Sequence, residues 1–417
     1  MGRSFFPLDE ELELLPGSLT PYMHESMVRL GAWMPFRFAA ELLRDLLRVT
    51  VSKSKAERYT EASGAAYVAV QTEEADQIER KAPPAAPGSD KIVISADGAM
   101  VPLLHGEWAE VKTLVIGEVL PSVLEGDEWV VHTKKLSYFS RLVNSERFEH
   151  LTLSEFHRRG VENSREVGAL MDGADWLQGF VDYHCFRAVR ILDFPHAGQR
   201  IGQIAEAVFG EATAETRQWT SEQLHQLKHQ GPTEVLTKIR GLQEQYPETG
   251  IIQENLAYLE KRQTQMRYPI FQQQGWPIGS GIVESGNKLV VEARLKGAGM
   301  HWKRENVDPV LALRNIICSD RWSQEWPRIE KRLRQQAANR RTDLRQKHRQ
   351  AKQPAIPLVT ASPCFYIPAP ATIPQPPPDV TEKAPEKLER WRPPADHPWR
   401  RFRFGRSLYQ PPSSAKK

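Results

Sequence analysis

Cysteine is scarce in this 417-residue chain: Cys185, Cys318 and Cys364 are the only three, widely separated and without a CxxC pair. That excludes a disulfide framework and a thiolate zinc site, and it points to a reducing, intracellular compartment. No run of 18 or more apolar residues occurs, so neither a transmembrane helix nor a membrane partner is expected. The opening stretch, MGRSFFPLDEELELL, lacks the basic-then-apolar layout of a secretory signal. Internal repeats are also missing.

The 40% hydrophobic content supports a substantial core, and the length admits one large domain with appendages or two to three domains. The net charge of +4 hides a division along the chain. Residues 285–417 hold 27 Lys and Arg against 12 Asp and Glu, whereas residues 1–284 hold 29 against 40. Such asymmetry fits a C-terminal half that faces nucleic acid, although a merely solvated basic tail gives the same count.

Residues 1–80 read as a helical N-terminal domain. LTPYMHESMVRL and FRFAAELLRDLLRV are two helix candidates, and SKSKAERYTEASG is a third, capped by Ser52 or Ser54 and stopped by Gly64. Lys53, Lys55 and Arg58 at the start of the third would suit a helix-turn-helix reader of DNA, yet any three-helix scaffold looks similar. Residues 81–90, KAPPAAPGSD, form a Pro/Ala/Gly linker and a domain boundary. Residues 91–197 then change character. A β-branched run ends at Asp97 with Gly98 as a turn, two further strand candidates follow, and a helix covers residues 140–160. Short apolar strands then run into Asp172, and into Asp193 and His196.

Residues 198–274 are polar and helical, an α-helical insertion. In residues 275–302, GWPIGSGIVESGNKLVVEARLKGAGMHW, turn chemistry gives way to a helix from Ile282 that stops near Gly297–Gly299 and carries Glu284, Lys288, Arg294 and Lys296. A short apolar helix packed on the sheet completes residues 275–327. Residues 328–352 carry ten Lys and Arg against two acids, a basic helix or arm. Residues 353–417 hold 15 of the 31 prolines and read as a disordered tail.

Asp97, Asp172 and Glu284 each fall at a strand end or helix start, where a sheet presents side chains. Each alone has an ordinary reading: an Asp followed by Gly is a turn pair, and a charged helix face is usually just solvated. Together, the order strand-Asp, strand-Asp, helix-Glu is the layout of an RNase H-like core, an α/β fold with a mixed sheet flanked by helices. Three carboxylates gathered there would hold two Mg2+ or Mn2+ ions about 3.5–4 Å apart, a site for in-line displacement at phosphorus.

The motifs DGAM at Asp97, MDGADWL around Asp172, ILDFPHA, PIGSGIVES, RLKGAGMHW and LALR closely resemble those of the ISKra-type insertion-sequence transposases, DDE enzymes related in core layout to the Mutator-like group. The resemblance runs from about Phe5 to Trp322. It implies that Asp97, Asp172 and Glu284 are the metal-binding triad, and that Asp193 and His196 form the D(2)H signature beside the scissile phosphate. His196 could equally be a core histidine capping a strand end. The resemblance also gives Lys288, Arg294, Lys296 and Lys303 to DNA phosphates, with Mg2+ or Mn2+ as cofactor. Transposon ends and target DNA are the implied partners, a homo-oligomer the working form and the bacterial nucleoid the place of action. Trp302 would stack on an extruded base or pack in the core, Trp176 would pack on the sheet, and Trp276 could be exposed or buried. The chain starts close to the family's shared region, so an upstream end-binding segment is expected to be short or absent. A hydrolytic nuclease with the same core, and a DNA-binding remnant that no longer cuts, remain open alternatives.

Overall fold

The computed structural model describes residues 14–352 apart from Asp127 and Ser280. These residues belong to one compact unit. The described residues begin with three helices, α1 (Pro21–Trp33), α2 (Phe36–Leu47) and α3 (Lys53–Lys81). Thr20 caps α1 and Ser52 caps α3, each through a side-chain oxygen that accepts an otherwise orphaned backbone N–H. The expected stop at Gly64 does not occur: α3 runs for 29 residues. Gly64 serves close packing instead, since a β-carbon there would overlap the Pro309 carbonyl of a later helix.

Five strands form the central sheet: β1 (Lys91–Pro102), β2 (Trp108–Val119), β5 (Thr133–Arg141), β6 (Glu166–Met171) and β7 (Val189–Leu192). Between β2 and β5 a small ribbon pairs β3 (Val123–Glu125) with β4 (Glu128–Val130). The sheet order is β5-β2-β1-β6-β7, and β2 alone runs against the other four. β1 does not end at Asp97. It continues through Gly98, paired with Lys112, because the chain turns only at residues 104–106.

Helix α4 (Ser145–Arg159) and α5 (Asp175–Cys185) cover one sheet face, with Ile92, Ile94, Ala96, Phe139 and Met171 in their shared core. The opposite face carries Val93 and Leu170, following the period-2 alternation of a strand. It is covered in part by an all-helical segment, α6 (Phe194–Phe209), α7 (Ala214–Gln230), α8 (Pro232–Gln245), α9 (Gly250–Lys261) and α10 (Tyr268–Gln273), as the polar helical text of residues 198–274 predicts. The rest of that face receives α11, which begins as Gly281–Gly286, passes through a π-helical stretch Asn287–Glu292 and ends at Ala293–Leu295. Helices α12 (Arg304–Cys318) and α13 (Trp322–Lys352) follow.

The N-terminal helices are not a separate domain. Met27, Leu43 and Tyr67 share a hydrophobic cluster with Val101 and Val111 of the sheet, Val290 of α11, Leu311 of α12 and Trp326 of α13. Residues 82–90 lack regular structure but are fastened to the core, with Ala86 N–H donating to the His157 carbonyl at 3.1 Å. The proline-rich stretch 353–417 lies outside the described residues. No helix among the described residues is long and apolar enough to cross a membrane.

Candidate active site

The site grows out of strand register. β1 and β6 pair in parallel from Lys91–Glu166 to Ile94–Ala169, and three residues further along each strand stand Asp97 and Asp172. The β6–β7 ladder ends at Met171–Leu192, so the next residues, Asp172 and Asp193, are again level. Three aspartates therefore gather at this end of three adjacent strands, Asp97 within β1 and Asp172 and Asp193 just past the last residues of β6 and β7. Residues level on parallel neighbours share a face, here the one against which α11 and the helical segment pack. Ile282, at the start of α11, touches the cores on both sides of this row, so the acids occupy a polar notch between two apolar clusters.

Asp97 is half-buried, and its two carboxylate oxygens have different partners. Oδ1 accepts the Gly98 N–H at 2.7 Å and Oδ2 accepts from Asn287 Nδ2 at 3.0 Å. Burial holds the Asp97 carboxyl above its ordinary pKa; the Gly98 N–H opposes this, and the charges of Asp172 and Glu110 reinforce it. Asp172 sits in the turn from β6 into α5, where Gly173 adopts a φ of 81° and Asp172 Oδ1 accepts the Ala174 N–H at 2.8 Å. Helix α9 clamps that turn from outside: Tyr258 donates its hydroxyl to the Asp172 carbonyl, and Arg262 donates Nε to the Gly173 carbonyl at 2.6 Å. One turn of helix separates Tyr258 from Arg262, which places both on one face.

Asp193 is fully buried and caps α6 by accepting the His196 N–H at 3.2 Å. It also receives His196 Nδ1 at 2.6 Å. This hydrogen bond raises the imidazole pKa above its ordinary value against the opposing burial, with the charges of Asp193, Asp172 and Asp97 adding to it. Asp97, Asp172, Asp193 and His196 thus share one electrostatic neighbourhood, although Asp97 lies inside β1 rather than at its end.

Glu284 does not join them. Among the described residues no group of three or more His, Cys, Asp and Glu side chains is arranged to hold a metal ion. The helix phase supplies the reason: Val283, Gly286, Asn287, Val290 and Val291 form the buried face of α11, and Glu284 stands on its exposed flank. Gly286 permits this docking, because a β-carbon there would press on Val115 and Tyr138. Asn287, one turn on from Glu284, is the residue that reaches Asp97. Its Oδ1 is buried without a hydrogen-bond partner.

The cations divide. Arg294 is not a DNA contact: it is 1% exposed, donates Nε and Nη2 to the Gly31 carbonyl at 3.1 and 3.0 Å, and lies against the rings of Phe36 and Trp302. Burial, with Arg314 nearby, lowers its pKa to about 10. Lys296 pairs with Glu292 at 2.7 Å, Lys55 donates to Ser18, and exposed Arg58 leans over Tyr59. Lys288 is exposed. Lys53 and Lys303, far apart in sequence, line one cavity. Trp302 is a core residue that donates Nε1 to the Leu295 carbonyl at 3.1 Å, Trp276 is buried beneath Lys91, and Trp176 packs edge-to-face on Phe148 and Phe180.

Sequence reasoning missed Asn287, Glu110 and the Tyr258–Arg262 clamp. Glu110 lies over Gly98 and is held by Lys112, at 2.5 Å. A polar residue on the apolar stripe of α11 was the one available signal for Asn287. Taken together, the notch offers two crowded carboxylates able to attract a divalent cation and a His–Asp pair able to hold or move a proton. No family model matches the chain, and no curated protein does.

Proposed function

We propose that the protein is a metal-dependent DNA transposase of the DDE kind, built on an RNase H-like core. The strand order, with β2 alone reversed, supports the core. The observation that carries the reading is the electrostatic coupling of Asp97 to Asp172, which follow the same parallel pair of strands. By donor type these residues fit Mg2+ or Mn2+: both are oxygen ligands, and the repulsion felt at Asp97 is what a cation would relieve. A bound divalent ion supplies Lewis acidity to a phosphodiester at that point.

The chain's own residues do the rest. Asn287 and Gly98 fix the orientation of Asp97, while Ala174 and the clamp from α9 fix Asp172. His196, with Nδ1 on Asp193, keeps Nε2 for a phosphate oxygen or a proton. Glu284 takes the third place of the triad in this reading, but it stands off the notch, so in the DNA-free protein the ion would rest on Asp97 and Asp172 alone. Lys288, one turn on from Glu284, meets the DNA backbone. Hydrolysis at a transposon end exposes a 3′-hydroxyl. That oxygen then bonds to a target phosphorus as the target's own 3′-oxygen leaves, so no ATP is needed. Work on paired ends calls for a homo-oligomer at the nucleoid.

The exposed position of Glu284, with both Asp97 oxygens already hydrogen-bonded, favours a second reading: a DNA-binding protein that does not cut. One assay separates the cases. The chain is incubated in Mg2+ with plasmid and a pre-cut end from the DNA flanking its reading frame. Joined product, abolished by Asp97→Asn with end binding intact, is expected. Nicks without joining would indicate a hydrolytic nuclease, and binding without either would indicate the silent form.

A further inference from the structure

A cavity of about 580 Å³ opens between the start of α3 and the turn after α11. Exposed Arg37, Lys53 and Lys303 line it, and so do the half-buried Glu57 and Glu61 with Met300. Glu57 and Glu61 lie one turn apart on α3, and among the described residues neither side chain has a hydrogen bond or an ion pair. Burial and the neighbouring Glu57 push the Glu61 carboxyl up to about 7; Glu305 adds to this, and Lys303 and Arg294 oppose it.

Once ionised, the two are acceptors without donors beside cations open to solvent, and they call for a ligand with N–H groups at one end and a phosphate at the other. A guanine nucleotide has that form, since its base edge carries two adjacent N–H donors that a carboxylate can accept together. Thymine presents one N–H between two carbonyls, which a carboxylate repels. We propose that this cavity takes up an unstacked guanine nucleotide, its base edge donating to Glu57 and Glu61 and its phosphate lying on Lys53 and Lys303. The inference rests on the DNA reading above and adds a subsite about which that reading is silent.

The test is fluorescence anisotropy of the full chain with three short duplexes: fully paired, with one bulged guanine, and with one bulged thymine. The bulged guanine should bind about tenfold tighter than the other two, the range for hydrogen bonds to a charged group. Glu61→Gln should remove that preference while leaving the paired duplex unchanged, and Lys303→Ala should weaken all three. Equal affinities, or a preference that survives both Glu61→Gln and Glu57→Gln, would overturn the subsite and leave DNA binding standing. Failure to bind any duplex would instead overturn the DNA reading, and calorimetry with GMP then decides the cavity. Heat that vanishes in Glu61→Gln would sustain it as a site for free nucleotides, and no heat from the wild type would remove it.

Discussion

Asp97 and Asp172 each lie three residues past the last pair of the parallel β1–β6 ladder, Ile94–Ala169, and the charge of Asp172 is felt at Asp97. Burial in the notch disfavours the charged form of Asp97, and the nearby Asp172 adds to it. Such a site sacrifices stability for function, so neutralising it should stabilise the fold. In metal-free buffer at pH 7, Asp97→Asn is expected to raise the melting temperature while abolishing strand joining. A lower melting temperature would show that the carboxylate is there to hold the fold together.

The Asp193–His196 pair makes a separate prediction. The hydrogen bond from Nδ1 is the largest influence raising the imidazole pKa, so Asp193→Asn should lower it. The amide retains the cap on α6. Linkage gives the sign for stability: a raised histidine pKa contributes below the ordinary value of about 6.5 and is lost as pH climbs through the folded-state value. NMR titration of labelled histidine measures the shift directly, and an unmoved His196 resonance would rule the coupling out.

Two glycines should respond in opposite directions. Gly64→Ala drives a methyl into the Pro309 backbone where α3 crosses α12, which cannot step aside as a flexible side chain would. A loss of about 1–3 kcal/mol is expected, as for overpacked cores. Gly202, inside α6, has open space around it, and Gly202→Ala should gain about 0.5–1 kcal/mol. Urea denaturation of both variants checks the pair of signs.

Acid should weaken the fold through two buried histidines. Burial lowers the His24 pKa to about 4 and that of His184, stacked on Phe156 at 4.0 Å, to about 3. Both are neutral when folded, so the unfolded chain binds their protons first as pH falls below about 6.5. Each therefore removes about 3 kcal/mol or more by the time pH reaches its folded value. His24→Gln should flatten the pH 6.5–4 limb of the stability curve, and an unchanged limb would count against the burial argument.

Much of this was legible because local signals agreed with the fold. Strands running into Asp172 and Asp193, the helical text of residues 198–274 and the helix from Ile282 all appear where periodicity and turn residues put them. Failures came where tertiary contact overrides local chemistry. Asp97–Gly98 reads as a turn, but the ladder to β2 carries β1 straight through it. Gly64 reads as a helix stop, yet it is the crossing point of two helices. Arg294 reads as a surface cation because nothing near it in sequence announces the Gly31 carbonyl, which lies 263 residues away. Which of Glu284 and Asn287 faces Asp97 depends on how α11 docks on the sheet, a tertiary matter that spacing alone does not encode.

Binding of Mn2+ to the DNA-free protein, followed by electron paramagnetic resonance, tests the central claim most directly. Asp97→Asn and Asp172→Asn should each weaken binding at least about tenfold, the cost of one lost charged ligand. Glu284→Gln should leave it within about threefold, because Glu284 stands off the notch. Unchanged affinity in either aspartate variant would contradict the account.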